Sequence, residues 1–309
     1  MTSNKILCIG GADIDWTGLY SADSFPLEGL PIEFNKTFGG VAHNITQNLK
    51  SIGYNVEFMS AIGNDLIGNQ FIQFLKESGL SSDYLIKLEN HQTASVIFVI
   101  GNNGKVLLTL PRTEIYDSFT SENLSSKLSS MKQFGTWIID TDLCEEAIQY
   151  LTLVKPVDTT LYAVIACPSK SNRVKSILNM LDGLFLNIEE ASYMIGEEIK
   201  TDEQILKSAK TIKEQGAKIV FMTLGERGVC VATEEFQKII PAYKAEIYDT
   251  KGAGDAFATG VIAGLLDKMS IEGSVQQGLA AASLAIEVKG KTYGMLSREK
   301  IKERRELNG

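Results

Sequence analysis

The chain has 309 residues, 44% hydrophobic and 22% charged, and its 30 basic against 38 acidic side chains give a formal charge of −8. This length holds one large α/β domain or two modest ones, and the acidic balance argues against a broad grip on a nucleic-acid backbone. No apolar stretch approaches the ~20 residues of a bilayer-spanning helix, and Met1 to Lys5 leads into a strand without signal-peptide character.

Apolar runs rich in β-branched residues predict buried strands at 6–9, 56–61, 137–139, 161–165, 184–186 and 219–222. Amphipathic stretches between them predict helices over 41–52, 66–77, 145–153 and 205–214. Strands alternating with helices indicate a largely parallel sheet covered on both faces, an α/β/α sandwich. Two sections break the rhythm. Residues 14–38 lack helical periodicity, and 94–100 with 105–110 around Gly101-Asn102-Asn103-Gly104 reads as a hairpin. Together, 14–38 and 93–116 are expected to build a small β-sheet lid that excludes water from a site, or else a decorative edge. After Phe236 the pattern turns to helices at 254–268, 271–288 and 298–307. No repeat or linker interrupts 1–309, so one domain with a lid is expected. Cys8, Cys144, Cys167 and Cys230 are scattered, which suits reduced thiols in a cytoplasmic protein.

The sharpest motif is Asp249-Thr250-Lys251-Gly252-Ala253-Gly254-Asp255. Small residues let the backbone turn tightly, and a helix that begins there points unsatisfied N–H groups and a positive dipole end at an anion. Asp255 in the first turn is placed to take a proton from a hydroxyl; its bland alternative is a helix cap. Gly39-Gly40 opens the 41–52 helix, and Asn44 one turn later offers both a donor and an acceptor. Asp13 and Asp15 follow the first strand, where sheets of this class bind ligands; for one of the two, turn capping is the expected role. Asn187 and Glu190 follow another strand and can orient Mg²⁺ and phosphate oxygens, or simply start a helix. Thr223, Gly225 and Gly228 either pass beneath a nucleotide or form a hairpin. Gly290-Lys291-Thr292 imitates a P-loop without its upstream glycine. His43 is expected on a helix surface, and two histidines are too few for a histidine metal site.

Taken together, these residues resemble the ribokinase, or PfkB, family of sugar and nucleoside kinases over essentially the whole chain. The resemblance implies ATP and Mg²⁺ as partners in phosphoryl transfer to a hydroxymethyl group. Asp255 would be the base, and Gly252, Ala253 and Gly254 the anion hole. Asp13, Asp15, Gly39, Gly40 and Asn44 would contact the acceptor; Asn187, Thr223, Gly225 and Gly228 the nucleotide; Glu190 a hydrated Mg²⁺. Asp249 and the Lys251 carbonyl would serve a potassium ion, and two copies would pair through the lid. Within the family the chain is most similar to pseudouridine kinases, through Gly39 to Ile45, Thr93-Ala94-Ser95, Arg112 to Asp117 and Asp140 to Leu143. It departs from them at His43, usually Arg, at Asp142 and Asp13, usually Asn, and near Asn172, where a lysine is expected and Lys170 lies close by. Free-sugar phosphorylation and non-catalytic nucleotide or sugar sensing are the alternatives.

Overall fold

Side chains alternate between the two faces of a strand, and in the predicted runs both sets are apolar, so both faces of the sheet must be covered. The computed structural model describes residues 5–20, 34–101, 106–288 and 293–308. The strands are β1 (Ile6–Ile9), β2 (Asp13–Leu19), β3 (Phe34–Gly39), β4 (Val56–Gly63), β5 (Leu85–Leu88), β6 (Ala94–Ile100), β7 (Val106–Arg112), β8 (Thr136–Asp140), β9 (Thr160–Val164), β10 (Gly183–Asn187), β11 (Val220–Thr223), β12 (Val229–Ala232) and β13 (Gln237–Ile240). The main sheet runs β13-β12-β11-β10-β9-β8-β1-β4-β5, parallel from β11 to β5, with β12 and β13 antiparallel at one edge. Leu7 and Ile9 enter one apolar core; Ile6 and Cys8 enter another on the opposite face. The chain is therefore a three-layer α/β/α sandwich with a mostly parallel sheet and a smaller separate one, as the resemblance to the ribokinase family implies.

The smaller sheet has the order β3-β2-β6-β7. Its central pair, β2 and β6, is parallel, with Asp13 opposite Ala94 and Asp15 opposite Val96. The middle of the 14–38 stretch, the hairpin turn at 102–105 and Gly290-Lys291-Thr292 lie outside the described residues. Strands β5 and β13 were not foreseen. The latter lies where only helices were expected, because Gln237-Lys238-Ile239-Ile240 is too polar to read as a buried strand yet suits an edge. The Asp202–Glu214 helix starts three residues before the expected 205, fixed by a capping box between Thr201 and Gln204. His43 is fully buried rather than on the helix surface, packed among Phe58, Phe71, Phe74 and Tyr293, and burial pushes its pKa down to about 3.

Helices Val41–Ser51 and Ala253–Leu266 cover the same face of the sheet. The second packs closely on Ile271–Ile286: a methyl group at Gly260 would lie 2.7 Å from the Gln277 carbonyl oxygen and from the Gly278 Cα. A side chain there would push backbone against backbone. Replacing Gly260 by Leu should lower stability by about 1–3 kcal/mol, measured by urea unfolding. An unchanged midpoint would contradict this packing.

Candidate active site

The switch point of a parallel sheet, where successive connections leave in opposite directions, opens a crevice at the strand carboxyl ends. Here β1 lies between β4 and β8, and the crevice forms beside Gly10 and Gly11. Asp140, ending β8, is fully buried there. Its Oδ2 accepts hydrogen bonds from the Gly11 and Ala42 amides, both at 2.9 Å, and its Oδ1 accepts from the Asp142 amide at 2.9 Å. This carboxylate joins the first loop, the Val41–Ser51 helix start and its own turn. Burial outweighs those hydrogen bonds and pushes its pKa up to about 7. Gly40 has φ 104° and lies against the Gly11 backbone, a conformation and a clearance that suit only glycine.

Gly252 is also left-handed, at φ 78°, and it caps the Ala253–Leu266 helix without any side-chain cap. The Ala253 amide donates to Thr250 O at 3.2 Å, so it is already used in the turn. Among the described residues the amides of Gly252, Gly254 and Asp255 have no protein acceptor. A side chain built on Gly254 would meet open space.

Asp255 is partly exposed, and its Oδ2 accepts a hydrogen bond from Asn44 Nδ2 at 2.7 Å. Burial pushes its pKa up to about 7, opposed by the Asn44 hydrogen bond and the Lys251 charge and reinforced by Asp142 and Asp15. Asp13 and Asp15 both converge on Gly39, whose added Cβ would lie 2.6 Å from an oxygen of each. Asp15 is ion-paired to Lys251 at 2.5 Å, whereas Asp13 Oδ1 is buried with no partner among the described residues. Burial first, then the charges of Asp15 and Asp142, hold the Asp13 carboxyl well above the usual range.

On the other side of Asp255, a cleft of about 600 Å³ is lined by Thr223, Gly225, Gly228, Thr250, Ala253 and Gly254 together with Tyr243 and Phe257. The Thr223 to Gly228 segment forms the hairpin from β11 to β12, and Thr223, Gly225 and Gly228 also line this cleft. Asn187 lies beside Thr223 in register. It shares a capping box with Glu190, Oδ1 accepting from the Glu190 amide at 2.9 Å and Glu190 Oε2 accepting from the Asn187 amide at 2.7 Å. The bland role is therefore real, and it leaves Asn187 Nδ2 and Glu190 Oε1 for a ligand. The Glu190 carboxyl is pushed up to about 7 by burial, helped by the nearby Asp255 charge. Asp249 Oδ1 accepts from the Lys251 amide at 3.0 Å and so shapes the turn.

Three further groups escaped residue-by-residue reading. Lys170, close to the position near Asn172 where a lysine is expected, ion-pairs with Asp142 at 2.7 Å. It lies on a 3₁₀ stretch, Pro168–Met180, whose period obscures helix reading. Tyr116 Oη accepts from the Ala12 amide at 2.8 Å. The Lys251 side chain enters the Asp13–Asp15 pocket; only its place inside the glycine motif hinted at this.

A glycine-opened helix start that offers bare amides between a nucleotide-sized cleft and a pocket of carboxylates is equipment for moving a phosphoryl group. The family model described as pfkB family carbohydrate kinase matches residues 3–298, and the chain belongs to that family; it is a phosphotransferase. It is 25% identical over 283 residues to the pseudouridine kinase of Escherichia coli (strain K12), covering 91% of this chain and 90% of that protein. It is also 25% identical over 286 residues to the guanosine-inosine kinase of Exiguobacterium acetylicum, covering 92% and 94%. The Arabidopsis thaliana ribokinase complexed with ribose and ATP superposes with a TM-score of 0.85 at 19% identity, over 99% of each chain.

A carboxyl near pKa 7 holds its proton at lower pH and cannot accept another, so turnover should fall as pH drops through about 7. Asn44→Ala removes a hydrogen bond that favours the ionised Asp255. The acidic limb of the rate profile should therefore move to higher pH, and a limb left in place would contradict the pairing.

Proposed function

We propose that the chain transfers the γ-phosphoryl group of ATP to a primary hydroxyl of a ribosyl-type acceptor, with pseudouridine or a related nucleoside the foremost candidate. The observation that carries this reading is the Asp255 carboxylate, held by Asn44 beside the open amides of Gly252, Gly254 and Asp255 itself. Asp255 accepts the hydroxyl proton as the acceptor oxygen forms its bond to the γ-phosphorus and the bond to ADP breaks. The amides stabilise the charge that develops on the moving phosphoryl oxygens. Asp13, Asp15 and Asn44, with the Gly39-Gly40 backbone, orient the acceptor, and Thr223, Gly225 and Gly228 line the nucleotide cleft.

Mg²⁺ neutralises phosphate charge in such transfers and keeps several of its waters. Glu190 Oε1, beside Asn187 and near Asp255, is a fitting oxygen partner for one of those waters. For a monovalent ion such as K⁺, Asp249 and the Lys251 carbonyl remain the candidate partners. The small sheet acts as the lid of one kinase domain. Its outer face carries exposed Phe34, Leu108 and Leu110, which supports pairing of two copies through that surface. Free cysteines, two of them buried, support a cytoplasmic setting. Among the described residues no helix is long and apolar enough to cross a membrane.

Similarity to both nucleoside kinases and a ribokinase keeps free sugars in view, and Asp13 and Asp15 suit sugar hydroxyls equally well. A panel of nucleosides, ribose, fructose and keto-sugar acids, read by ADP release, separates these acceptors. A nucleoside, pseudouridine first, should give the highest kcat/KM. Tight ATP binding without turnover on any acceptor would favour a non-catalytic sensor. Asp255→Asn should lower kcat by about 10²–10⁴-fold with little change in ATP affinity; near-normal turnover would remove the base assignment.

A further inference from the structure

Lys251 precedes the left-handed Gly252 by one residue, so its backbone belongs to the phosphoryl-binding turn. Its side chain leaves that turn and crosses to the small sheet. The ammonium group lies 2.5 Å from Asp15 Oδ2 on β2 and 4.5 Å from the centre of the Phe98 ring on β6. Asp15 and Phe98 share a face, because Asp15 is opposite Val96 and Thr17 opposite Phe98 in the parallel pairing. Asp13 lies on that face as well. One cation therefore touches the two central strands of the lid from the loop that forms the anion hole. Both contacts are shielded. The Asp15 side chain is 8% exposed and that of Lys251 is 36% exposed, so this pair is screened less than a surface one.

The charges around Asp15 show why the pair matters. Asp13 lies on the same strand, Asp142 follows β8 and faces Asp13, Asp255 lies at the helix start, and Tyr293 packs within reach of the Asp15 charge. Lys170 is committed to Asp142. Lys251 is thus the cation that directly compensates Asp15. Burial raises the Asp15 pKa, and Lys251 opposes that rise by its charge and its hydrogen bond.

Resting on the kinase reading above, we propose that Lys251 is a positioning residue for the acceptor. It ties the lid strand carrying Asp15 to the anion-hole turn and holds that carboxylate aimed at the acceptor hydroxyls. The acceptor is accordingly a neutral, hydroxyl-bearing molecule. Among the described residues neither Asp13 nor Asp255 is ion-paired to a cation, and an acceptor carrying a carboxylate or phosphate would meet them at close range.

Lys251→Met keeps length and apolar contact with Phe98 while removing the charge. The expected result is an acceptor KM raised about tenfold or more, consistent with the loss of a charge-assisted hydrogen bond, with the ATP KM within about twofold. Lys251→Arg should restore much of the acceptor KM. Hydrogen–deuterium exchange without any ligand should quicken in 13–19 and 94–100 of Lys251→Met. A folded Lys251→Met enzyme with unchanged acceptor KM and lid exchange would overturn the proposal. If the wild-type chain turns over no acceptor at all, the kinase reading itself fails, and lid exchange alone then decides whether Lys251 is the tether.

Discussion

A single hydrogen bond, from Asn44 Nδ2 to Asp255 Oδ2, joins side chains 211 positions apart and sets two helix starts against each other. Both helices cover the same face of the sheet and both begin on a glycine in a conformation closed to other residues. Several helix starts are capped by side chains: Asp65, Thr201, Ser270 and Ser297 each accept from an amide in the first turn, whereas Gly40 and Cys144 offer no such cap. At Gly252 no side chain does so. The amide donors that a cap would satisfy are left for a ligand, and a carboxylate stands beside them. Strand order places this arrangement at the switch point, and the close fit of Gly260 against Ile271–Ile286 fixes the angle at which the helix arrives.

The electrostatics of the crevice work against stability. Asp13, Asp15, Asp140, Asp142 and Asp255 crowd one region, with Lys170 and Lys251 as its paired cations. Raised carboxyl pKa values at Asp13, Asp140 and Asp255 report the same strain from three positions. A fold selected for stability alone would not bury Asp13 Oδ1 without a partner. Such groups persist where a ligand completes them, and here they lie beside strands β2 and β6 of the small sheet.

Much of this was legible in the sequence, and the limits have physical causes. Apolar runs such as Ile6–Ile9 and helical stripes such as Leu66–Glu77 are local signals, and their bounds were read to within a residue or two. The Asp249 to Asp255 run announced a helix start because glycines and an acid at that spacing have few other uses. The parallel pairing of β2 with β6 was not legible, since it joins segments some eighty residues apart through backbone alone. The partners of the Lys170 and Lys251 ammonium groups were not legible, because the destination of a long side chain is set by tertiary neighbours. His43 misled for the opposite reason: a polar residue early in a helix reads as exposed, and four aromatic rings contributed by distant segments bury it.

The most direct test is a crystal structure of the protein with ADP, Mg²⁺, aluminium fluoride and a bound acceptor. The fluoride group, standing in for the moving phosphoryl, should lie within hydrogen-bond distance of the Gly252, Gly254 and Asp255 amides, with the Asp255 carboxylate on the acceptor oxygen. A fluoride group seated away from that turn, or an Asp255 side chain still directed only at Asn44 with the acceptor in place, would contradict the account.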